Sequence, residues 1–100
     1  MGWGYRMICI DRVVNYSGAL IKVTVNTAND TICGEILGHS DILKALEVVE
    51  KHGGCRLVSE NPIKIVSGDG GIEIVVEPAN FFAKMFWGMA VDKVKESCKA

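Results

Sequence analysis

Apolar and polar side chains alternate with a period of two through the first third of the chain, which is the spacing of a strand that buries one face. The clearest stretch is 20–27, where three β-branched apolar residues share one face and the residues between them are polar. Residues that favour turns separate this stretch from its neighbours at 15–18 and 28–30. The strands that this pattern predicts are 5–14, 20–27 and 31–37.

The pattern changes to helical spacing in the middle of the chain. Ile42, Leu46 and Val49 recur at intervals of three and four residues and form one apolar stripe. A Ser-Asp pair before the stripe can cap the first free N–H groups, and a Gly-Gly pair after it supplies the left-handed conformation that ends helices. These signals predict a helix over 41–52.

The rest of the chain predicts more strands and a second helix. Asn61-Pro62 is a turn, because the residue before a proline disfavours the helical conformation. Pro78 suits the first turn of a helix, where its missing N–H is not needed. The predicted elements are strands at 55–59, 63–66 and 72–77, the last two paired as a hairpin, and a helix over 79–97. The order β-β-β-α-β-β-β-α predicts an α+β fold, a largely antiparallel sheet with two helices packed on it.

Composition narrows the class of protein. One hundred residues predict a single domain over 1–100, and 49% hydrophobic with 23% charged residues excludes a disordered chain. The net charge of −1 disfavours binding to nucleic acid or to an anionic membrane through the overall charge of the protein. Residues 1–6 lack the features of a secretory signal, and no apolar run approaches the roughly 18 residues of a membrane span. We therefore expect a cytoplasmic protein with no membrane span.

Cysteine and histidine spacing gives no sign of a metal or catalytic centre. His39 and His52 bracket the first predicted helix, too far apart to share one metal ion. No other close pairing of ligand residues predicts a metal or cofactor site, and no spacing forces titratable groups together, so we expect no enzyme. Four cysteines are scattered without a CxxC pair and are interpreted as buried hydrophobic residues of a reduced protein, at Cys9, Cys33, Cys55 and Cys98.

The second predicted helix carries the most informative pattern. Its apolar arc is far wider than the stripe of about 100° that a surface helix needs to pack on one side. The helix is either buried deeply between the sheet and the first helix, docked on the sheet with its other flank on a partner, or laid on a membrane surface. Methionine and aromatic residues are enriched at protein interfaces. The second interpretation predicts a surface that binds a protein partner or a second copy of the chain in a homo-oligomer, formed by Phe82, Met85, Phe86 and Met89.

The chain has one glycine-rich loop, Ser67-Gly68-Asp69-Gly70-Gly71. A tight hairpin with a bulge requires such glycines, and consecutive N–H groups in such a loop can alternatively form an anion-binding nest. The loop does not match the GxxxxGK(S/T) sequence of a Walker A loop, and it leads into a strand, whereas a dinucleotide fingerprint opens a helix. The hairpin is the simpler explanation.

Two stretches resemble the motifs of the Sm-like RNA-binding barrels. Residues 21–25, followed by 34–38 and Asp41, are similar to the first motif of that family. Residues 65–69 through Ile72 look like a loose version of the second motif.

The resemblance implies a barrel whose loops line a ring and bind uridine-rich RNA. It places Asp41, Gly68 and Asp69 near the nucleotide site. The chain departs from the family pattern at Leu43-Lys44, where the family has an Asn, and at Ser67, where it has a basic residue. The resemblance makes an RNA-binding module the alternative to an interaction domain.

Overall fold

A computed structural model of the protein describes residues 7–39 and 42–98. Within these ranges, five strands form one antiparallel sheet with helices packed against it, which confirms the α+β class. The strand order in the sheet is β1-β2-β5-β4-β3. The elements in chain order are β1 (Met7–Tyr16), β2 (Ala19–Thr27), α1 (Asp30–Leu37), α2 (Ile42–Lys51), β3 (Cys55–Glu60), β4 (Ile63–Ser67), β5 (Ile72–Pro78), α3 (Phe81–Met85) and α4 (Trp87–Ser97).

The core lies on one face of the sheet. Ile74 on the central strand β5 pairs with Val25 of β2 on one side and with Ile65 of β4 on the other, and all three are buried. Thr24 and Lys64 flank Val75 on the opposite face, where the side chains are only partly buried. The alternation that predicted β2 therefore divides a face covered by helices from a mixed, partly polar face.

Several local predictions are confirmed. The helix predicted over 41–52 is α2, and its first predicted residue lies outside the described ranges. The strand predicted at 55–59 is β3, and the two strands predicted around the glycine-rich loop pair antiparallel as β4 and β5. These elements carry their signals within a few residues, in caps, turns and apolar spacing.

The prediction of a third strand at 31–37 is wrong, because these residues form α1. Asn29 is extended at the N-cap, and its side chain accepts a hydrogen bond from the N–H of Ile32 at 2.9 Å. Ile32 and Ile36 are buried one helical turn apart. Positions four residues apart also lie on the same face of a strand, so this short stretch satisfied both periods. The predicted hairpin turn before it is the cap of the helix.

The prediction of a single helix over 79–97 is wrong, because these residues form two helices that meet at Phe86. Phe86 has φ −108° and ψ 22°, which is outside the helical region. Pro78 ends β5 instead of opening the helix, and Asn80 caps α3 instead. No proline lies between 79 and 97, so composition gave no sign of the break.

The interpretation of the cysteines as unpaired and reduced is also wrong, since all four form disulfides. Cys9 of β1 is joined to Cys33 of α1, with 5.5 Å between their Cα atoms. Cys55 of β3 is joined to Cys98 after α4, with 5.4 Å between Cα atoms. Disulfide partners cannot be assigned from sequence spacing alone. Each bridge ties one edge strand of the sheet to helical structure.

Candidate interaction surface

Five large apolar side chains are exposed together on α3 and the first turn of α4. Four of them are the residues predicted to bind a partner, and the fifth precedes them by one position. Their exposed fractions lie between 45% and 75%. We call them the helical apolar surface: Phe81, Phe82, Met85, Phe86 and Met89.

The opposite side of the same helices explains why these residues face outward. Ala83, Trp87, Val91 and Val94 recur at three- and four-residue intervals and are all buried. The indole Nε1 of Trp87 also donates a hydrogen bond to the carbonyl oxygen of Glu60, at 2.8 Å. The inner stripe thus docks on the core, and the outer apolar residues are left on the surface.

Asn80 fixes α3 to the sheet. Its Oδ1 accepts hydrogen bonds from the N–H groups of Ala83 at 2.9 Å and Leu20 at 3.2 Å. Its Nδ2 donates to the carbonyl oxygen of Gly18, at 2.9 Å. One side chain therefore caps the helix and holds its start against the β1–β2 turn, which positions the helical apolar surface relative to the sheet.

The aromatic residues of this surface differ in their surroundings. The rings of Phe82 and Phe86 pack on each other with centroids 5.1 Å apart and planes tilted by 49°. Phe81 is the most exposed of the five residues and makes no ring contact with another residue of the described chain. The surface therefore offers one aromatic pair and one isolated ring.

An apolar groove of about 320 Å³ adjoins the helical apolar surface. Met89 belongs to both, so the projecting residues and the groove are continuous. Lys93 is the one charged residue that lines the groove among the residues that the structure describes. The lining comes from the ends of β1, β2, β4 and β5 and from α4, and consists of Tyr16, Ile21, Ile63, Val76, Met89, Ala90, Lys93 and Val94.

A cluster that the sequence did not predict joins three other elements. His52, just after α2, lies between two carboxylates, with Nδ1 3.0 Å from Oδ2 of Asp69 and Nε2 3.3 Å from Oε2 of Glu35. Glu35 is on α1 and Asp69 is in the β4–β5 loop. The three residues are seventeen positions apart in sequence, a spacing that carries no local signal. Both ring nitrogens can donate together only in the protonated imidazolium.

The hydrogen bonds of this cluster are not arranged as in a catalytic site, where a serine nucleophile contacts its histidine base. Ser67 Oγ donates to Asp69 Oδ1 at 2.8 Å and accepts from the N–H groups of Gly71 and Ile72. Asp69 thus lies between Ser67 and His52. An activated serine instead contacts the imidazole directly. Within the described ranges, no group of three or more His, Cys, Asp or Glu residues is arranged to hold a metal ion.

The glycine-rich loop is a hairpin turn whose N–H groups are already occupied. Gly68 N–H donates to the carbonyl oxygen of Gly54 at 2.9 Å, and Asp69 N–H donates to that of His52 at 2.8 Å. The next three N–H groups donate to the backbone or side chains of residues 67 and 69. A Cβ at position 68 would collide with the backbone of Gly53, so the close approach requires glycine. The loop has no free N–H group for an anion.

The residues of the Sm-like resemblance do not lie where that family would place them. Residues 34–38 belong to α1 and the turn after it, and Asp41 is outside the described ranges. Gly68 and Asp69 are engaged in the hairpin turn. The sheet is open, with β1 and β3 at its edges. The barrel that the resemblance implies is not the fold of these residues.

Asp69 predicts how stability depends on acid pH. Partial burial raises the pKa of Asp69, but hydrogen bonds from Gly71 N–H, Ser67 and His52, together with the charge of His52, outweigh it and hold the pKa below its ordinary value of 3.8. A carboxyl group with a lowered folded-state pKa stabilises the fold above its unfolded-state pKa. That stability is lost as the pH falls through the folded-state value.

We expect Asp69→Asn to flatten the pH dependence of unfolding below about pH 5. Urea unfolding at a series of pH values, with the exposed Asp11→Asn as the matched control, measures this. Equal slopes for Asp69→Asn and the wild type would contradict the assigned role of the cluster.

In the part of the chain that the structure describes, no helix is long and apolar enough to cross a membrane. Comparisons with protein-family models, with curated proteins and with solved structures each gave no match. The helical apolar surface and its groove are therefore interpreted from their own geometry.

Proposed function

We propose that the protein is a small non-catalytic interaction module that associates with itself through the helical apolar surface. The observation that carries this is the exposure of five large apolar side chains within 81–89, while Ala83 and Trp87, which lie between them, are buried. Contiguous apolar patches of this kind on a soluble domain mark interaction sites. Aromatic and methionine side chains are also the types enriched in such interfaces.

The area of the surface is sufficient for a specific dimer. An aromatic side chain carries roughly 150–250 Å² of surface, and methionine is of comparable size. With about half of this exposed at five positions, each copy offers on the order of 500 Å². Two copies would bury about 1,000 Å², the lower limit for a specific interface. A net charge of −1 adds little repulsion between copies.

The polar chemistry of the chain supports a role without catalysis. The carboxylates beside His52 bond to groups of the fold itself, and the buried hydroxyl of Ser67 is both donor and acceptor within its own turn. The groove presents mainly hydrocarbon.

Sedimentation velocity tests this function. We expect the wild type to form a dimer or larger oligomer at tens of micromolar and Phe86→Asp to be monomeric with an unchanged circular dichroism spectrum, because a charge placed in an apolar interface opposes association. Val13→Asp is the matched control, since Val13 is 57% exposed and lies opposite Lys22 on the other face of the sheet. A wild type that stays monomeric at about 1 mM, the concentration scale of very weak association, contradicts the proposal.

Binding of single-stranded RNA stays a prediction. Its candidate residues Gly68 and Asp69 have their polar groups occupied in the hairpin turn, which counts against it. Salt-dependent binding to a uridine-rich oligonucleotide would support it.

The cytoplasmic location also stays a prediction, and the two disulfides restrict it. Disulfides persist in oxidising compartments and are rare in the cytosol, except in hyperthermophilic organisms. We infer that the protein functions in a compartment where both disulfides persist. This is either an oxidising compartment or the cytosol of a hyperthermophilic organism. Alkylation of the protein at cell lysis, before and after reduction, measures how many thiols are free.

A further inference from the structure

We propose that the groove beside α4 receives the Phe81 side chain of a second copy, so that two copies exchange Phe81 across a twofold axis. The inference rests on the proposed self-association and deepens it by naming what fills the groove. In a twofold interface the same patch serves both copies, so the patch must contain both the projecting group and its receptor. Here Met89 joins the exposed aromatic residues to the groove within a single surface.

The size of the groove suits a phenyl ring. A cavity of about 150 Å³ already accommodates benzene, and this groove holds about 320 Å³. Its lining is apolar apart from Tyr16 and Lys93. A ring that enters it transfers its own apolar surface and that of Ile21, Ala90 and Met89 out of water, which is the main favourable contribution to association.

Phe81 is the ring that is available to enter. It is 75% exposed, the highest value among the large apolar residues of the described chain. Phe82 and Phe86 pack on each other with ring centroids 5.1 Å apart, and they would lose this contact if either one turned away to fill the groove of the other copy. Phe81 has no such contact to break, so insertion requires no rearrangement of the donor helix.

The groove also offers specific partners for an aromatic ring. Tyr16 contributes an aromatic side chain to the lining of the groove. Lys93 forms none of the ion pairs found among the described residues, and its ammonium group can lie over the face of an inserted ring. A purely aliphatic groove would not offer the cation–π contact, so Lys93 in the lining favours an aromatic occupant.

Photo-crosslinking tests the position of Phe81. The chain is made with p-benzoylphenylalanine at position 81, mixed with an isotopically heavy copy and irradiated. We expect light–heavy crosslinks from position 81 to residues 89–94 or to the 16–21 segment. The same photo-reactive residue at position 13 is the control, and we expect no light–heavy crosslink from it.

Two substitutions test the energetics by sedimentation equilibrium. We expect Phe81→Ala to raise the dimer dissociation constant on the order of thirtyfold, the loss seen at buried aromatic hot spots. Ala90→Trp, which fills the groove, raises it by a similar factor, and Val13→Trp leaves it unchanged. Phe81→Ala is an exposed truncation, so it remains informative if Ala90→Trp fails to fold.

The outcomes separate this inference from the proposed function. Dimers that withstand both substitutions and crosslink only between the α3 helices overturn the exchange of Phe81 while leaving self-association intact. A wild type that is monomeric throughout overturns both. Crosslinks into the groove, together with weakening by Phe81→Ala, establish the exchange.

Discussion

We expect removal of the Cys55–Cys98 disulfide by Cys55→Ala and Cys98→Ala to lower the free energy of unfolding by about 4 kcal/mol. The bridge spans 43 residues, and closing a loop of that length in the unfolded chain removes conformational entropy worth about 4 kcal/mol in the chain-entropy model. For a domain of this size, such a loss lowers the melting temperature by at least about 15 °C. Guanidinium unfolding of the oxidised wild type and of the double variant measures it.

The Cys9–Cys33 bridge provides the matched comparison. It spans 24 residues, so the chain-entropy model predicts that Cys9→Ala with Cys33→Ala lowers the free energy of unfolding by about 3.5 kcal/mol. A reducing agent should bring the wild type close to the variant that lacks all four cysteines. Unfolding midpoints that do not differ between the oxidised wild type and either double variant would show that the bridges contribute nothing.

The second large effect is expected at Trp87. Trp87→Ala should lower the free energy of unfolding by about 3–5 kcal/mol, because it removes a buried aromatic side chain and leaves a cavity. It also removes the hydrogen bond to the carbonyl oxygen of Glu60. Urea unfolding at concentrations below the dimer dissociation constant measures stability without a contribution from association.

The neighbouring residue is the control for Trp87. Phe86 is exposed, so Phe86→Ala should change the stability of the monomer by about 1 kcal/mol or less while weakening association. The two adjacent substitutions thus separate the inner and outer sides of the same helical segment. Equal losses of stability would mean that Phe86 also belongs to the core and that the helical apolar surface is smaller than proposed.

Sequence patterns predicted the elements whose signals are local. The apolar spacing and the Gly-Gly pair of α2, and the turn between β4 and β5, are complete within about a dozen residues. The stretch 31–37 was ambiguous because Ile32 and Ile36 fit both a strand and a helix. Its helix was decided by the cap at Asn29, a residue that favours turns equally well.

Contacts between distant residues could not be predicted in this way. The cysteine pairs and the cluster around His52 form because the fold brings separate elements together, and no spacing in the chain encodes them. The candidate surface was accessible from sequence because its signal is local, an apolar arc too wide for one-sided packing. The sequence indicated that the helix has more apolar residues than packing on one side can bury. The break at Phe86 and the adjoining groove could be found only from the structure.

Each disulfide lies within its own half of the chain, and neither bridge joins one half to the other. Cys9 and Cys33 both precede the connection between α1 and α2, whereas Cys55 and Cys98 both follow it. A single proteolytic cut in that connection would therefore leave two fragments with no covalent link between them. In the sheet they meet where β2 pairs with β5. The protein is thus suited to a split reporter, in which two separately expressed pieces, each with its own internal bridge, regain the native fold only when they meet.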